Sequence, residues 1–381
     1  MKIAFVYDTI YPWITGGAEH RIYEIASRLV KYGHEVHIFS LGFWKLDKKY
    51  ENMDNLVYNG ISLHSVGDPM ELYIDGKRSI KEAIYFALKV LTTNSFRDFD
   101  IIDCQGFPYF SSFSSFFKII GSNTKLILTL HEVWDDYWYT YMGKLGVFGK
   151  YIEKTMFYLS NNMICVSNLT YNGLIKTRKP DNVKVIANGV DINSINNVLE
   201  SDEHCNILFA GRLIKEKNID LLVNSIDILR NDYHNVSCFI VGSGPEEDHL
   251  KKLVKDKNLE NNILFKGFLD STDDLYSLMK NADVFVLPSI REGFGMVVIE
   301  ANSCGLPVVV VNSAWNASCE LVSKDNGWVI ENNVDSLVSC LLEVLDSNSL
   351  DKLKESCKNK AKDYDWDNIT LKIENFYKEC L

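Results

Sequence analysis

The 381 residues are 46% hydrophobic and carry 40 Lys+Arg against 51 Asp+Glu, a formal charge of −11. That size holds about two domains, each with its own core. The acidic balance argues against a bulk nucleic-acid binder, and no apolar run reaches the roughly 18 residues a membrane span needs.

The charge is uneven: residues 1–190 hold 21 Lys+Arg against 19 Asp+Glu, and the rest of the chain 19 against 32, so the net negative charge lies beyond residue 190. A near-neutral first half approaches an anionic membrane or acceptor more easily than the second does. The nine cysteines are scattered and form no CxxC pair, which favours a reducing compartment. The opening MKIAFVYDTI is too short for a signal segment. A cytoplasmic protein is therefore expected, and the cytoplasmic face of a membrane stays open as its location.

In chain order, KIAFVY (2–7) is the first expected strand. A loop with Gly16 and Gly17 follows, then a helix from about Ala18 to Lys31 whose Ile22, Ile25, Ala26, Leu29 and Val30 recur at helical spacing. Gly33 stops it, and EVHIFS is the second strand, giving a βαβ opening with a Gly-rich first loop. The loop is not GxGxxG, so the dinucleotide fingerprint is absent. The Gly-Gly pair still suits either an ordinary tight turn or backbone N–H groups offered to a phosphate or sugar oxygen.

Further strands are expected near 60–66, 99–104, 126–131, 162–167 and 183–187. LILTL ends at His131, just past a buried strand, where a histidine is either structural or directed at a ligand. Asp135 and Asp136 are adjacent but lack the surroundings of a metal-binding DxD, so no metal is assigned to them. Two segments, 106–120 and 133–159, are unusually aromatic. Some of these rings must be core; the surplus, Trp134, Tyr137 and Trp138 among them, suits an acceptor groove, stacking on sugars, or an interface with lipid.

Residues 191–205 are polar without a strong period and read as an interdomain connection. A second α/β unit then begins with NILFAGRL, followed by Arg212 and Lys217. VSCFIVGSGPEEDHL reads as strand, Gly turn and helix, and NILFKGFL and VFVLPS as further strands. The expected layout is residues 1–190, a linker 191–205, a second domain 206–357, and a final amphipathic helix within 358–381. Trp366, Ile369, Leu371, Ile373 and Phe376 would be its apolar face, packing back on the first domain. The fold class is α/β: two Rossmann-like open parallel sheets with a cleft implied between them.

The most informative stretch is LPSIREGFGMVVIEANSCGLPVVVV, residues 287–311. It reads as strand, glycine turn, helix, strand. Gly293 and Gly295 let the backbone turn tightly and approach a ligand. The helix starting near Met296 presents unpaired N–H groups and a positive dipole end, which suit a phosphate. Glu292 and Glu300 bracket the turn near the C-terminal end of a strand, where open α/β sheets bind ligands. Arg212 and Lys217 follow another strand and can converge on a diphosphate. Such a site suits a nucleotide diphosphate leaving group: preorganised cations and N–H groups stabilise the charge that bond breaking places on it. No metal is needed if those groups supply the positive field, and GxxxxGK[ST] is absent.

In this order and spacing GGAEH, TLHEVWDD, IANGVD, FAGRLIKEKN, VGSGPEE and EGFGMVVIE resemble the retaining glycosyltransferases of the two-domain GT-B class, in particular family 4, across essentially the whole chain. The resemblance implies that Arg212 and Lys217 hold the diphosphate of a nucleotide-sugar (a UDP-sugar or GDP-mannose), Glu300 the ribose hydroxyls, and Glu292 the hydroxyls of the transferred hexose. Backbone amides of Gly293, Phe294 and Gly295 would assist, next to Met296. His131 would contact the hexose near its 6-hydroxyl, Gly16 and Gly17 would bring backbone close to donor or acceptor, and Ser243 and Gly244 would lie by the nucleotide. Front-face attack with retention, no metal and no cofactor is implied, so Glu292 is no glycosidase nucleophile. His131-Glu132 replaces the His-Asp frequent in relatives, and Ala187 replaces the usual Pro before Asn-Gly.

The expected acceptor is a glycan or lipid-linked glycan, with peripheral membrane contact through the first domain. The alternatives are the same chemistry on a small soluble acceptor, an epimerase acting on UDP-N-acetylglucosamine, and a binding module without catalysis.

Overall fold

A computed structural model describes residues 1–74, 77–93, 96–346 and 350–381. The chain forms two compact units, Met1–Asn188 with Trp366–Leu381, and Gly189–Asp365.

The first unit is built on eight strands: β1 (Lys2–Val6), β2 (Glu35–Leu41), β3 (Asn55–Tyr58), β4 (Ile61–Gly67), β5 (Ile101–Gln105), β6 (Lys125–Leu130), β7 (Asn162–Cys165) and β8 (Asn182–Val185). They lie in the order β8-β7-β6-β5-β1-β2-β4-β3. All neighbours are parallel except β3, which runs antiparallel to β4 at the edge. Ile3 to Val6 and Leu126 to Leu130 are buried without a break, as expected where helices cover both faces of a parallel sheet. β3 was not expected from the sequence. It is half-exposed, and the positive φ of Asn59 and Gly60 turns it back into β4.

Helix Gly17–Lys31 buries Ile22, Ile25, Ala26 and Leu29, and also Arg21. Val30, expected on that face, is only half-buried. The C-terminal helix Trp366–Cys380 belongs to the first unit and buries Trp366, Ile369, Ile373, Phe376 and Tyr377. Leu371, expected in the same stripe, is exposed, because the spacing of the buried residues leaves it on the opposite face. Arg28 Nε donates to Asp367 at 2.6 Å and His34 Nε2 meets Glu374 at 2.8 Å, fastening the helix to the first unit at its start and its middle.

The second sheet holds β9 (Cys205–Ala210), β10 (Cys238–Val241), β11 (Ile263–Gly267), β12 (Ala282–Leu287), β13 (Val308–Val311) and β14 (Gly327–Ile330). It is entirely parallel, in the order β11-β10-β9-β12-β13-β14. In each unit the order reverses beside the first strand, between β1 and β5 and between β9 and β12. Both units are Rossmann-like, and such reversal points are where open α/β sheets form ligand crevices.

Residues 191–205 are not a featureless connection. Asp191 caps a short helix, Ile192–Asn197, by accepting from Ser194 N at 2.9 Å, and the segment belongs to the second unit. Likewise the tail divides at 365/366: helix Leu350–Ala361 stays with the second unit. Among the described residues no helix is long and apolar enough to cross a membrane.

Candidate active site

In the second unit, three loops meet at the C-terminal edge of the sheet. Gly211 N donates to Val241 O at 3.0 Å and Leu213 N to Ser243 O at 2.9 Å, so the loops after β9 and β10 are zipped together by backbone bonds. Glycine makes this approach feasible: a Cβ on Gly242 would lie 2.0 Å from Gly211 O, and one on Gly244 would lie 2.3 Å from Leu213 O. The third loop follows β12 and joins through Ile290 N, which donates to Glu216 O at 2.9 Å.

This frame brings Lys217 and Glu292 together. Lys217 ends a short 3-10 turn, Lys215–Lys217, and its Nζ donates to Glu292 Oε1 at 2.5 Å. Glu292 is not in an open loop, as its surroundings suggested. It sits on a two-residue strand, Arg291–Glu292, paired in parallel with Trp315–Asn316. Ser313 Oγ supports that pairing by donating to Ile290 O at 2.7 Å, and Asn316 Nδ2 does so by donating to Ser289 O at 2.9 Å.

Gly295 caps the helix Met296–Ser303 with φ of 93°, a left-handed conformation. A Cβ there would meet Ser318 Cβ at 2.7 Å. Phe294 is buried, its ring 6.2 Å from that of Tyr364. Gly293, Met296 and Glu300 are half-buried, Gly244 likewise, while Arg212 and Ser243 are exposed. The structure thus gathers Lys217, Glu292, the glycine turn and the helix start, with the 242–246 loop beside them.

In the first unit, His131 directly follows β6 and is half-buried. Its Nε2 lies 2.8 Å from Gln105 Oε1, at the end of the neighbouring strand β5. Gln105 Nε2 donates to Asp103 Oδ1 at 2.8 Å. The same oxygen accepts from Thr129 Oγ1 at 2.8 Å, and Asp103 Oδ2 accepts from Tyr377 OH at 2.6 Å. Because the glutamine amide donates to Asp103, its carbonyl faces His131. The proton therefore sits on Nε2 of the imidazole, and Nδ1 carries the lone pair. Desolvation, and then the charge of Arg21, push the His131 pKa down to about 3, so the ring is neutral near pH 7. Arg21 is itself buried and held by Ala187 O at 2.6 Å, Asn188 Oδ1 at 2.8 Å and Ile186 O at 3.2 Å. These bonds tie the IANG segment to the first helix. Gln105, Asp103 and Arg21 escaped the sequence reading, since one polar residue in an apolar run leaves no periodic trace.

Gly16 and Gly17 are exposed at the start of helix Gly17–Lys31. The carboxylate of Glu19 folds back over that helix start. A Cβ on Gly16 would meet its Oε2 at 2.4 Å, and its Oε1 accepts from Thr9 at 2.7 Å. The chain's own carboxylate thus lies where a bound anion would be favoured. Trp134 is half-buried and donates through Nε1 to Glu132 at 2.9 Å, whereas Tyr137 and Trp138 are buried. Asp135 and Asp136 pair with Lys150 at 2.8 and 2.5 Å. Among the described residues no group of three or more His, Cys, Asp or Glu is arranged to hold a metal ion.

Comparison with known proteins agrees with this architecture. Residues 15–194 match Glycosyltransferase Family 4, and residues 191–364 match Glycosyl transferases group 1. An uncharacterized glycosyltransferase of Methanocaldococcus jannaschii is 29% identical over 409 residues, covering 99% of this chain and 98% of that protein. The UDP-Gal:alpha-D-GlcNAc-diphosphoundecaprenol alpha-1,3-galactosyltransferase of Escherichia coli is 32% identical, over 55% of this chain and 58% of its own. Among solved structures, sucrose-phosphate synthase from Thermosynechococcus elongatus superposes with a TM-score of 0.80 at 18% identity, covering 99% and 98% of the two chains. HepE of Anabaena in complex with UDP does so at 0.73 and 19% identity, covering both chains fully. The chain belongs to the GT-B glycosyltransferases, with a Family 4 module followed by a group 1 module.

Proposed function

We propose that this glycosyltransferase moves a hexose from a UDP- or GDP-sugar to a glycan or lipid-linked glycan acceptor, with retention at the anomeric carbon. The observation that carries the reading is the Lys217–Glu292 pair at 2.5 Å beside the Gly293–Gly295 turn and the start of helix Met296–Ser303. It puts a cation, a carboxylate and backbone N–H groups within one small region.

In this reading the diphosphate takes Lys217, with Arg212 and the helix start adding positive charge as the leaving group develops its own. Glu292, released from Lys217, accepts from hexose hydroxyls, and Glu300 accepts from ribose hydroxyls. The bond from the anomeric carbon to the diphosphate oxygen breaks as the acceptor oxygen attacks from the same face, and the leaving diphosphate takes the acceptor proton. His131, neutral with its lone pair on Nδ1, accepts a hydrogen bond from a sugar hydroxyl and adds no charge of its own.

A lipid-linked acceptor is supported by the similarity to the Escherichia coli enzyme, whose name specifies a diphosphoundecaprenol acceptor. Phe148 and Tyr151, exposed on the first unit, would then meet the membrane that presents it.

A panel of UDP-glucose, UDP-galactose, UDP-N-acetylglucosamine and GDP-mannose tests the donor half, with binding measured by calorimetry and slow donor hydrolysis followed in parallel. One donor is expected to bind well ahead of the others and to lose most of its affinity in Lys217→Ala. Equal failure of every donor and of free UDP and GDP, with the protein folded, would overturn the reading. Formation of an epimerised UDP-sugar without transfer would replace it.

A further inference from the structure

On the Nε2 side of His131, four buried side chains form one continuous relay: Gln105, Asp103, Thr129 and, from the C-terminal helix, Tyr377. Asp103 is its pivot. Its two carboxylate oxygens take three donors between them, an arrangement that suits the ionised group. Burial raises the Asp103 pKa, and the bonds from Tyr377 and Thr129, the charge of Arg21 and the bond from Gln105 oppose that rise. Tyr377 stays a phenol, and therefore a donor, because burial and then the Asp103 charge raise its own pKa. On the other side of the imidazole, among the described residues, Nδ1 meets no hydrogen-bond partner and is not enclosed.

The Gln105 amide has two orientations, and the state of Asp103 chooses between them. As bonded, Nε2 donates to the carboxylate and Oε1 accepts from His131 Nε2. Turned over, Oε1 would face Asp103 Oδ1, setting two acceptors against each other across the 2.8 Å that a hydrogen bond now spans. The amide Nε2 would then face His131 Nε2, whose proton would have to leave for Nδ1. An ionised Asp103 forbids that arrangement. A protonated Asp103 permits it, because its O–H can donate to the turned carbonyl.

We propose that Gln105, Asp103 and Tyr377 are positioning residues that fix the hydrogen-bond polarity of His131, so that the group it meets is a neutral hydroxyl donating to Nδ1. Tyr377 makes the C-terminal helix part of this device. By donating to Asp103 it keeps the carboxylate charged, the amide oriented and the imidazole lone pair outward. A lone pair at Nδ1 receives a hydroxyl hydrogen and repels a carboxylate or phosphate oxygen, whereas an N–H there would attract either. The relay thus selects a neutral sugar group at this position without placing a charge on His131. A network built for stability alone would tolerate both tautomers. The proposal rests on the transferase reading for the identity of the hydroxyl, but the state of the imidazole is measurable without a ligand.

The test reads the ring directly, by nitrogen NMR of the full chain labelled at histidine, with His131→Gln identifying the His131 signals. Near neutral pH the native protein is expected to show a neutral ring protonated on Nε2. Gln105→Leu removes the acceptor, and the Nδ1–H form is expected to become substantially populated. Gln105→Glu keeps an acceptor opposite Nε2 and is expected to retain the proton there. Tyr377→Phe keeps the ring, loses the donor, and is expected to admit the Nδ1–H form. Whichever of UDP-glucose, UDP-galactose, UDP-N-acetylglucosamine and GDP-mannose is hydrolysed should lose about 2- to 10-fold in kcat, with KM little changed, in Gln105→Leu and Tyr377→Phe. Thermal melting reports folding, and if Gln105→Leu does not fold, Tyr377→Phe and the native spectrum decide. Three results would each overturn the proposal: a native His131 protonated on Nδ1, a tautomer unchanged in folded Gln105→Leu or Tyr377→Phe, or a shifted tautomer with kcat unchanged. If the tautomer responds as expected in a protein that binds no nucleotide-sugar, UDP or GDP, the transferase reading fails and the relay stands.

Discussion

The two units treat buried charge in opposite ways. The first buries Asp8, Glu19, Arg21, Glu82, Asp103 and Glu153 beside its sheet, whereas the buried polar side chains described in the second are serines and asparagines. A buried ionised group must be met by several partners or it is strongly destabilising. Accordingly Asp103 accepts from Thr129, Gln105 and Tyr377, and Glu153 accepts from Tyr109 OH at 2.9 Å, Trp134 N at 2.7 Å and Asp135 N at 2.8 Å. The second unit positions its loops mainly with backbone bonds and glycines, and leaves Lys217 and Glu292 near the surface. A side-chain network is therefore the organising device of one unit, and close backbone approach that of the other.

The sharpest way to break this contrast is Asp103→Leu, which removes the acceptor of three side-chain donors at once. It is expected to destabilise the first unit by about 3–5 kcal/mol, read as a loss in chemical denaturation, while nucleotide binding by the second unit persists until unfolding. A small effect would mean that the network is incidental.

Lys217→Ala should do the reverse. Its side chain is partly accessible, so melting should barely change, while kcat/KM for the preferred donor falls by about 10²–10³. Gly295→Ala tests the backbone device. Its positive φ and the contact with Ser318 predict a loss of about 1–2 kcal/mol from the conformation alone, with weaker donor binding.

A pH series refines the comparison further. His131 has its folded pKa depressed to about 3, below the ordinary value of about 6.5. The unfolded chain takes up this proton first, so the stability associated with a neutral His131 is lost as pH falls from about 6.5 towards 3. His131→Gln should flatten that part of the stability curve relative to the native protein, as thermal melts at each pH would reveal. The smallest change is expected from Lys150→Ala: its bonds to Asp135 and Asp136 are near the surface and contribute about 0–1 kcal/mol.

Much of the fold was legible because buried parallel strands read as unbroken apolar runs, as in 284–287 and 308–311, and because glycines punctuate the turns between them. The antiparallel edge strand Asn55–Tyr58 was not legible, since a half-exposed segment lacks such a run. The tail illustrates the same limit. Its helical period was plain, yet Leu371 and Tyr377 exchange places relative to the simple apolar reading: the leucine faces solvent and the tyrosine is buried. A hydroxyl with a buried acceptor costs little to enclose, and hydrophobicity alone cannot report that acceptor.

By itself the sequence determined the alternation of strands and helices, the glycine turns, and the candidates Lys217, Glu292 and His131, because local backbone preference and apolar periodicity are written into neighbouring residues. Tertiary structure alone decided who meets whom. Lys217 reaches a carboxylate 75 positions away, and Tyr377 reaches Asp103 across 274. A polar side chain becomes a partner, a support or an orphan only when packing removes its water and brings another chain segment within hydrogen-bonding distance.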